Sequence, residues 1–374
     1  MPGPLDGVRV VEIASAAPGP FACMVLADLG ADVLRVDRAG KRRSHPSDPL
    51  TSGRPTVDVD LKTADGPAVV RRLVERADVL VEGFRPGVAE RLGIGPQDCH
   101  AVNPGLVYGR MTGWGQSGPL AERAGHDINY IAMAGALEPI GPAGHPPVPP
   151  LNLLGDFAGG GLLLAFGIVA ALYERDRSGR GQVVDAAMVD GAALLTAWLH
   201  GQRAAGHWSG DRGDNLLDGG APFYTTYETA DGKYVSVGAL ERRFYAQLLA
   251  GLQLDPQQLP AQYDRSGWPQ LRAAIGAAFR QRTRAEWEEI FAGTDACVAP
   301  VLSPEEAANH PHMRARETFV EVGGMRRPAP APRFSRTPGA VRGQADAASH
   351  EATLTAWGFT QAEVAELHQK GAVA

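Results

Sequence analysis

Over its first 115 residues the chain alternates short β-branched runs with segments of helical spacing, and nothing else in the sequence constrains the fold as tightly. Residues 8–14 (VRVVEIA), 31–37 (ADVLRVD), 77–83 (ADVLVEG) and 106–112 (LVYGRMT) read as strands. Pro20 suits the first turn of a helix over residues 21–29, which Gly30 stops. Thr63 or Asp65 caps a second helix, with Val69, Val70, Leu73 and Val74 at helical spacing. Apolar strands separated by helices predict a parallel sheet covered on both faces. The expected fold class is α/β, with a doubly wound, Rossmann-like large domain. The turn after the first strand is SAAPGP, not GxGxxG, so a nicotinamide cofactor is unsupported.

The middle of the chain is organised differently. Residues 139–150 form a Pro/Gly-rich loop, 157–176 a long helix, 182–188 a strand and 189–205 an amphipathic helix. Residues 206–220 are polar and glycine-rich, a crossing segment. FYTTYE and KYVSVG, joined across Thr229-Ala-Asp-Gly, have the pattern of a hairpin. Helices follow near residues 241–252, 270–280 and 284–291, which is α+β composition. The expected layout is a large domain over 1–206, a crossing linker over 207–222, a small α+β domain over 223–325, and a return linker and C-terminal segment over 326–374 that rejoins the large domain. Residues 324–339 read as extended linker and 360–369 as a last short helix.

Composition narrows the partners. A net charge of -6 with no basic cluster argues against nucleic acid or an anionic membrane surface. Lys41, Lys62, Lys233 and Lys370 are the four lysines, so phosphate contacts fall mainly to arginine forks. Cys23, Cys99 and Cys297 are widely spaced and form no CxxC, which suits free thiols in a reducing compartment. No metal site is expected. The N-terminus lacks a basic leader, and the most apolar stretch, residues 159–172, is glycine-broken and short of a membrane span. A cytoplasmic protein is expected.

Two residues stand out as chemistry. His126 sits where the loop ending at Gly125 meets a helix, a junction that can present an imidazole to a cleft or simply cap the helix. Asp156 lies between Gly155 and the run FAGGG. It reads either as a helix N-cap or as a carboxyl beside exposed first-turn N–H groups, with small residues letting a ligand approach.

At this point the sequence resembles a known family, the class III CoA-transferases (CaiB/BaiF). The likeness runs along nearly the whole chain. It includes GVRVVEIA, PGP at 18–20, DLGADVLRVDR, DLK at 60–62, EGFRPGVAERLGIG, GRMTGWGQSGPLAERAGHDINYIAMAGAL, PPLNLLGDFAGGG, GQVVDAAMVDG and LDGGAPFYTTYETADGKYVSVGALE. The resemblance implies an acyl-CoA thioester as substrate, with no separate cofactor, and an interlocked homodimer. Transferases of this family use the aspartate matching Asp156 as nucleophile and carry GYD or GFD where this chain has Gly125-His126-Asp127. A histidine there favours the racemase branch, acting on 2-methyl-branched acyl-CoA, with His126 and Asp156 as the acid–base pair. The same resemblance implies that Glu241 orients His126, although Glu241 also reads as an ordinary residue opening a helix. It further implies CoA contacts from Arg38, Val59, Asp60, Leu61, Lys62, Gly83, Phe84, Arg85, Arg91, Gly125, Asp127 and Tyr130. A CoA-transferase and a non-catalytic acyl-CoA binder are the alternatives.

Overall fold

Each apolar run of the first part becomes a short strand with one face to each side of a sheet. The structure is a computed structural model that describes residues 3–40, 48–208, 210–341 and 350–373. Ser209 of the crossing segment and 342–349 of the return segment lie outside the described residues. Contacts divide the chain into two compact units: Met1–Ala134, Leu151–Leu195 and His312–Ala374 form one, and Gly135–Pro150 with Thr196–Pro311 the other. Residues 135–150 and 196–206, expected in the large domain, thus pack with the second unit, and 312–325 with the first.

The first unit holds β1 (Arg9–Ile13), α1 (Pro18–Asp28), β2 (Asp32–Arg38), β3 (Thr56–Val59), α2 (Gly66–Val74) and β4 (Val79–Glu82). It continues with α3 (Val88–Arg91), α4 (Pro96–Val102), β5 (Val107–Thr112), α5 (Asp127–Met133), a π-helical stretch over Leu153–Leu162, α6 (Leu163–Ser178), β6 (Val183–Ala187) and α7 (Met188–Leu195). The six strands pair in parallel in the order β3-β2-β1-β4-β5-β6. The expected doubly wound sheet is present. Strand alternation supplies a core on each face: Val11, Leu34 and Leu80 pack with α2, and Val10, Val79 and Val81 with α1 and α6. Gly109 in β5 lets α6 settle closely, since a Cβ there would stand 3.1 Å from Leu164 and 3.3 Å from Ile168.

The π-helical stretch and α6 run on as 26 residues, Leu153–Ser178, long and apolar enough by length and composition to cross a membrane, its apolar 18-residue window having mean hydropathy 1.8. The expectation of a shorter span is corrected, because the helix begins six residues before the apolar core of the segment. Its inner face, including Leu164, Ile168 and Leu172, is buried on the sheet. Its outer face presents Leu162, Phe166, Val169 and Tyr173, spaced at about one helical turn.

The second unit holds α8 (Ala197–Ala204), the antiparallel pair β7 (Tyr224–Glu228) and β8 (Tyr234–Gly238), α9 (Arg242–Gly251), α10 (Trp268–Phe279), α11 (Arg284–Phe291), β9 (Val298–Pro300) and α12 (Pro304–Asn309). The hairpin turns at Gly232, whose φ of 70° needs a residue without a side chain. Phe223, Val237, Leu248, Ile275 and Phe279 form its core. The helix expected over 189–205 is broken at Thr196, where one compact unit gives way to the other. The remaining chain adds α13 (Pro311–Ala315), the hairpin β10 (Phe319–Val322) and β11 (Met325–Pro328), α14 (His350–Ala356) and α15 (Gln361–Gln369). Strand β11 replaces the start of the expected extended linker. The tail then returns to the sheet, where Val373 bridges Val59.

Candidate active site

Strand order reverses between β1 and β4, and open α/β sheets bind ligands beyond the carboxyl ends of their strands at such a point. A cavity of about 240 Å³ opens there. Its walls include Ser15 and Pro18 after β1, Gly83, Phe84 and Arg85 after β4, Trp114 after β5, and Gly125, His126 and Tyr130. Tyr130 stands edge-on to Trp114 at 4.7 Å. Gly125 leaves room for this pair, because a Cβ there would lie 2.7 Å from Tyr130 and 3.1 Å from Trp114.

A second cavity, of about 400 Å³, lies at the ends of β1, β2 and β3. Arg38, Val59, Asp60, Leu61 and Lys62 line it, and Phe84 lines both cavities. The 59–62 turn is held by the returning tail: Asp60 N–H donates to the Ala372 carbonyl at 3.0 Å. Asp60 Oδ1 in turn accepts the Lys62 N–H at 3.0 Å, which shapes the turn that carries the lysine. Arg91, exposed on α3, and Asp127 line neither cavity.

The segment carrying Phe84 is fixed from below by buried charge. Glu82, fully buried, accepts the Phe84 N–H at 2.6 Å through Oε2. Its Oε1 accepts Arg110 Nε at 3.0 Å, and Arg110 also donates to both carboxylate oxygens of Glu90. Burial pushes the Glu82 carboxyl up, and the Phe84 N–H and Arg110 pull it back. The sequence reading missed this clamp, since nothing in spacing brings residues 82, 90 and 110 together.

His126 is the residue before α5, with extended backbone. Its N–H donates to Asn129 Oδ1 at 3.0 Å, and its exposed side chain lines the first cavity. The plain capping reading and the cleft reading therefore hold together.

Asp156 is not a cap. The helix starts three residues earlier, and Asp156 sits in its first turn. Its N–H is not open to a ligand either, because it donates to Asp127 Oδ2 at 2.7 Å. Nor do the following glycines admit a ligand. A Cβ at Gly160 would stand 2.9 Å from Met188, one at Gly159 2.8 Å from the Ala192 backbone, and one at Gly161 2.8 Å from Phe21. They let α1 and α7 close on the helix instead. That packing half-buries Asp156, and burial raises its carboxyl pKa. Asn152, donating to Asp156 Oδ2 at 3.0 Å, opposes the rise, Asp127 adds to it and His126 opposes it. Asn152 was readable as an i,i+4 helical partner of Asp156. Burial also raises the Tyr130 hydroxyl, with the Asp156 charge as second cause and Arg85 opposing. Asp156 is thus linked electrostatically to His126 and Tyr130, and Arg85 to Tyr130. His126, Tyr130 and Arg85 line the first cavity, whereas Asp156 lines neither cavity.

Glu241 belongs to the second unit. It is exposed and is the N-cap residue of α9, where its carbonyl accepts the N–H groups of Phe244 and Tyr245. Among the described residues no group of three His, Cys, Asp or Glu side chains is placed to hold a metal ion.

Residues 5–348 match the CoA-transferase family III. The chain belongs to this family. Among family members, it is 50% identical to a mouse protein named alpha-methylacyl-CoA racemase, over 97% of this chain and 96% of that one. It is 47% identical to the human protein of the same name, again over 97% and 96%. Among solved structures, a CaiB/BaiF family protein from Brucella suis superposes with a TM-score of 0.81 at 26% identity, covering 95% of this chain and 99% of that one.

Proposed function

We propose that the chain interconverts the two configurations at the carbon next to the thioester of 2-methyl-branched acyl-CoA substrates. The observation that supports this is an exposed imidazole lining the cavity at the strand switch point, electrostatically linked to a half-buried carboxyl whose pKa burial raises. The names of the mouse and human relatives support the substrate class.

An α-proton next to a thioester is weakly acidic, so its removal needs a placed base. Inversion needs a second group on the opposite face. Neutral His126 removes the proton from one enantiomer, and protonated Asp156 returns one to the other face of the enolate. The reverse reaction exchanges their roles. The raised Asp156 carboxyl favours the donor form this requires. Arg38 and Lys62 in the second cavity suit the phosphates of CoA, and Phe84, shared by both cavities, marks the path from nucleotide to thioester. Glu241 is assigned the orientation of His126. The apolar stripe of Leu162, Phe166, Val169 and Tyr173 supports a homodimer in which a second copy covers it, interlocked as the family resemblance implies. Sedimentation at micromolar concentration tests the dimer, and a monomer would remove it.

The family name favours a second reading, CoA transfer with Asp156 as nucleophile. A nucleophilic carboxylate works ionised, and burial here opposes ionisation. One experiment separates the two. A single 2-methylacyl-CoA enantiomer is incubated with the protein in deuterated water. Racemisation predicts deuterium at the α-carbon together with loss of optical purity, and His126→Ala slows both by about 10²–10⁴-fold. Retained configuration without label, with an acyl-aspartyl anhydride trapped by hydroxylamine, establishes transfer instead.

A further inference from the structure

Asp127 follows His126 directly and opens α5, yet its side chain turns inward and is 7% exposed. One carboxylate oxygen, Oδ2, accepts the backbone N–H of Asp156 at 2.7 Å. The other, Oδ1, is buried with no hydrogen-bond partner among the described residues. Gly155 permits this approach: a Cβ there would collide with the Asp127 carboxylate and stand 3.1 Å from Ile131. A single residue therefore joins the two candidate groups. Its backbone continues that of His126, and its carboxylate grips the backbone of Asp156.

The geometry has two consequences. The spacing of His126 and Asp156 is set through Asp127, because moving α5 moves both ends of the link. Asp127 also lies close enough for its charge to act on Asp156, and a like charge disfavours ionisation of the second carboxyl.

We propose that Asp127 is a positioning residue that ties the Asp156 turn to His126 and whose charge adds to burial in disfavouring ionisation of Asp156. The proposal rests on reading His126 and Asp156 as the acid–base pair. Other charges near this turn are engaged elsewhere or act in the opposite sense. Just before α5, His126 opposes the effect of Asp127. Arg85, after β4, acts on Tyr130. Arg110 on β5 is bound to Glu82 and Glu90. Asp185 on β6 accepts the Gln116 N–H, and Asp190 on α7 acts on Asp185. Asp28 ends α1 and is influenced by Arg327 and Arg54. Arg175, toward the end of α6, is paired with Asp78.

Wild type, Asp127→Asn and Asp127→Ala are compared in two assays. In α-deuterium exchange of a 2-methylacyl-CoA, the alkaline limb of kcat follows loss of the Asp156 proton. Asparagine keeps an acceptor for the Asp156 N–H but removes the charge. Its limb moves to lower pH, while its rate on the acid side stays within about tenfold of wild type. Alanine also loses the link, and its rate falls about 100-fold at every pH. An Asp127→Asn limb at the wild-type pH overturns the proposal. The second assay needs no turnover. A water-soluble carbodiimide labels protonated carboxyls, and peptide mass spectrometry follows Asp156. In both variants labelling ceases at a lower pH than in wild type, and an unchanged pH dependence overturns the proposal. Absence of exchange in wild type would sink the racemase reading alone, and the labelling would still decide the role of Asp127.

Discussion

Replacing Arg110 with methionine tests whether buried charge holds the segment between the two cavities. The guanidinium side chain is 8% exposed and that of Glu82 is 0% exposed. Methionine fills similar apolar volume and removes every donor. Glu90 is 45% exposed, so its ion pair is worth little. Glu82 is the costly one. It would keep only the Phe84 N–H and would be left as an unpaired buried carboxylate. Removing one partner of such a pair costs about 3–5 kcal/mol. The loss has a pH signature. Burial already raises the Glu82 carboxyl, and without Arg110 protonation becomes the cheaper way to accommodate it. The destabilisation is therefore largest above neutrality and shrinks on acidification. Urea unfolding at pH 7.5 and pH 5.5 measures both terms. The double variant Glu82→Gln/Arg110→Met carries no buried charge and should lose less than Arg110→Met alone, despite the extra substitution. KM for acyl-CoA should rise in Arg110→Met, because Phe84 faces both cavities. A loss below about 1 kcal/mol, or a double variant no better than the single, would refute the charge argument.

Two other outcomes are expected. Burial raises Asp28 from 3.8 to about 6 against the pull of Arg327 and Arg54, so the folded protein holds this ionised carboxylate at a penalty of about 3 kcal/mol at most. The sign follows from the raised value: the penalty is full above pH 6, declines as the folded carboxyl protonates, and is gone below 3.8. Asp28→Asn should raise the urea midpoint at pH 7.5 and lose that advantage by pH 4, and an unchanged midpoint at pH 7.5 counts against it. Arg38→Gln and Lys62→Gln should each weaken CoA binding about tenfold or more by calorimetry, less so at high salt, whereas solvated surface charges would change nothing.

The sheet was legible because its strands are covered on both faces. Val10, Val11, Val33, Leu34, Val79 and Leu80 are all within 1% of full burial, so the sequence shows short apolar runs rich in valine. Strand β3 escaped notice because it lies at the edge, with Thr56 and Asp58 only half-buried and four residues in all. Strand β9 is shorter still and carries no periodicity. The site was legible as residue types and family pattern. His126, Arg38, Lys62 and the Gly83–Phe84–Arg85 turn were all named, and the two cavities collect them. Its wiring was not legible. The links from Asp127 to Asp156 and from Glu82 to Arg110 span 29 and 28 residues, and only the packed fold creates them. The start of the helix was misplaced for a related reason, since a π-helical turn has no propensity signature and arises here from close packing of glycines.

Those glycines turn the remaining ambiguity about Asp156 into a test. A carboxyl in the first turn of a helix feels a dipole that favours ionisation. Burial opposes it, and burial is the larger cause here. The dryness comes from Gly159 meeting Gly191 of α7, backbone to backbone. A Cβ at Gly191 would fall 2.6 Å from the Gly159 carbonyl carbon and 2.8 Å from its Cα, and neither backbone atom can yield locally. Gly191→Ala must therefore push α7 away, at a cost of about 1–3 kcal/mol. If packing is what keeps Asp156 protonated, the opened contact admits water and the dipole regains influence. The alkaline limb of α-proton exchange then moves to lower pH although no charged residue has changed. A Gly191→Ala protein that is less stable but keeps the wild-type limb would place the origin of the raised carboxyl elsewhere, with the charge of Asp127 as the remaining source.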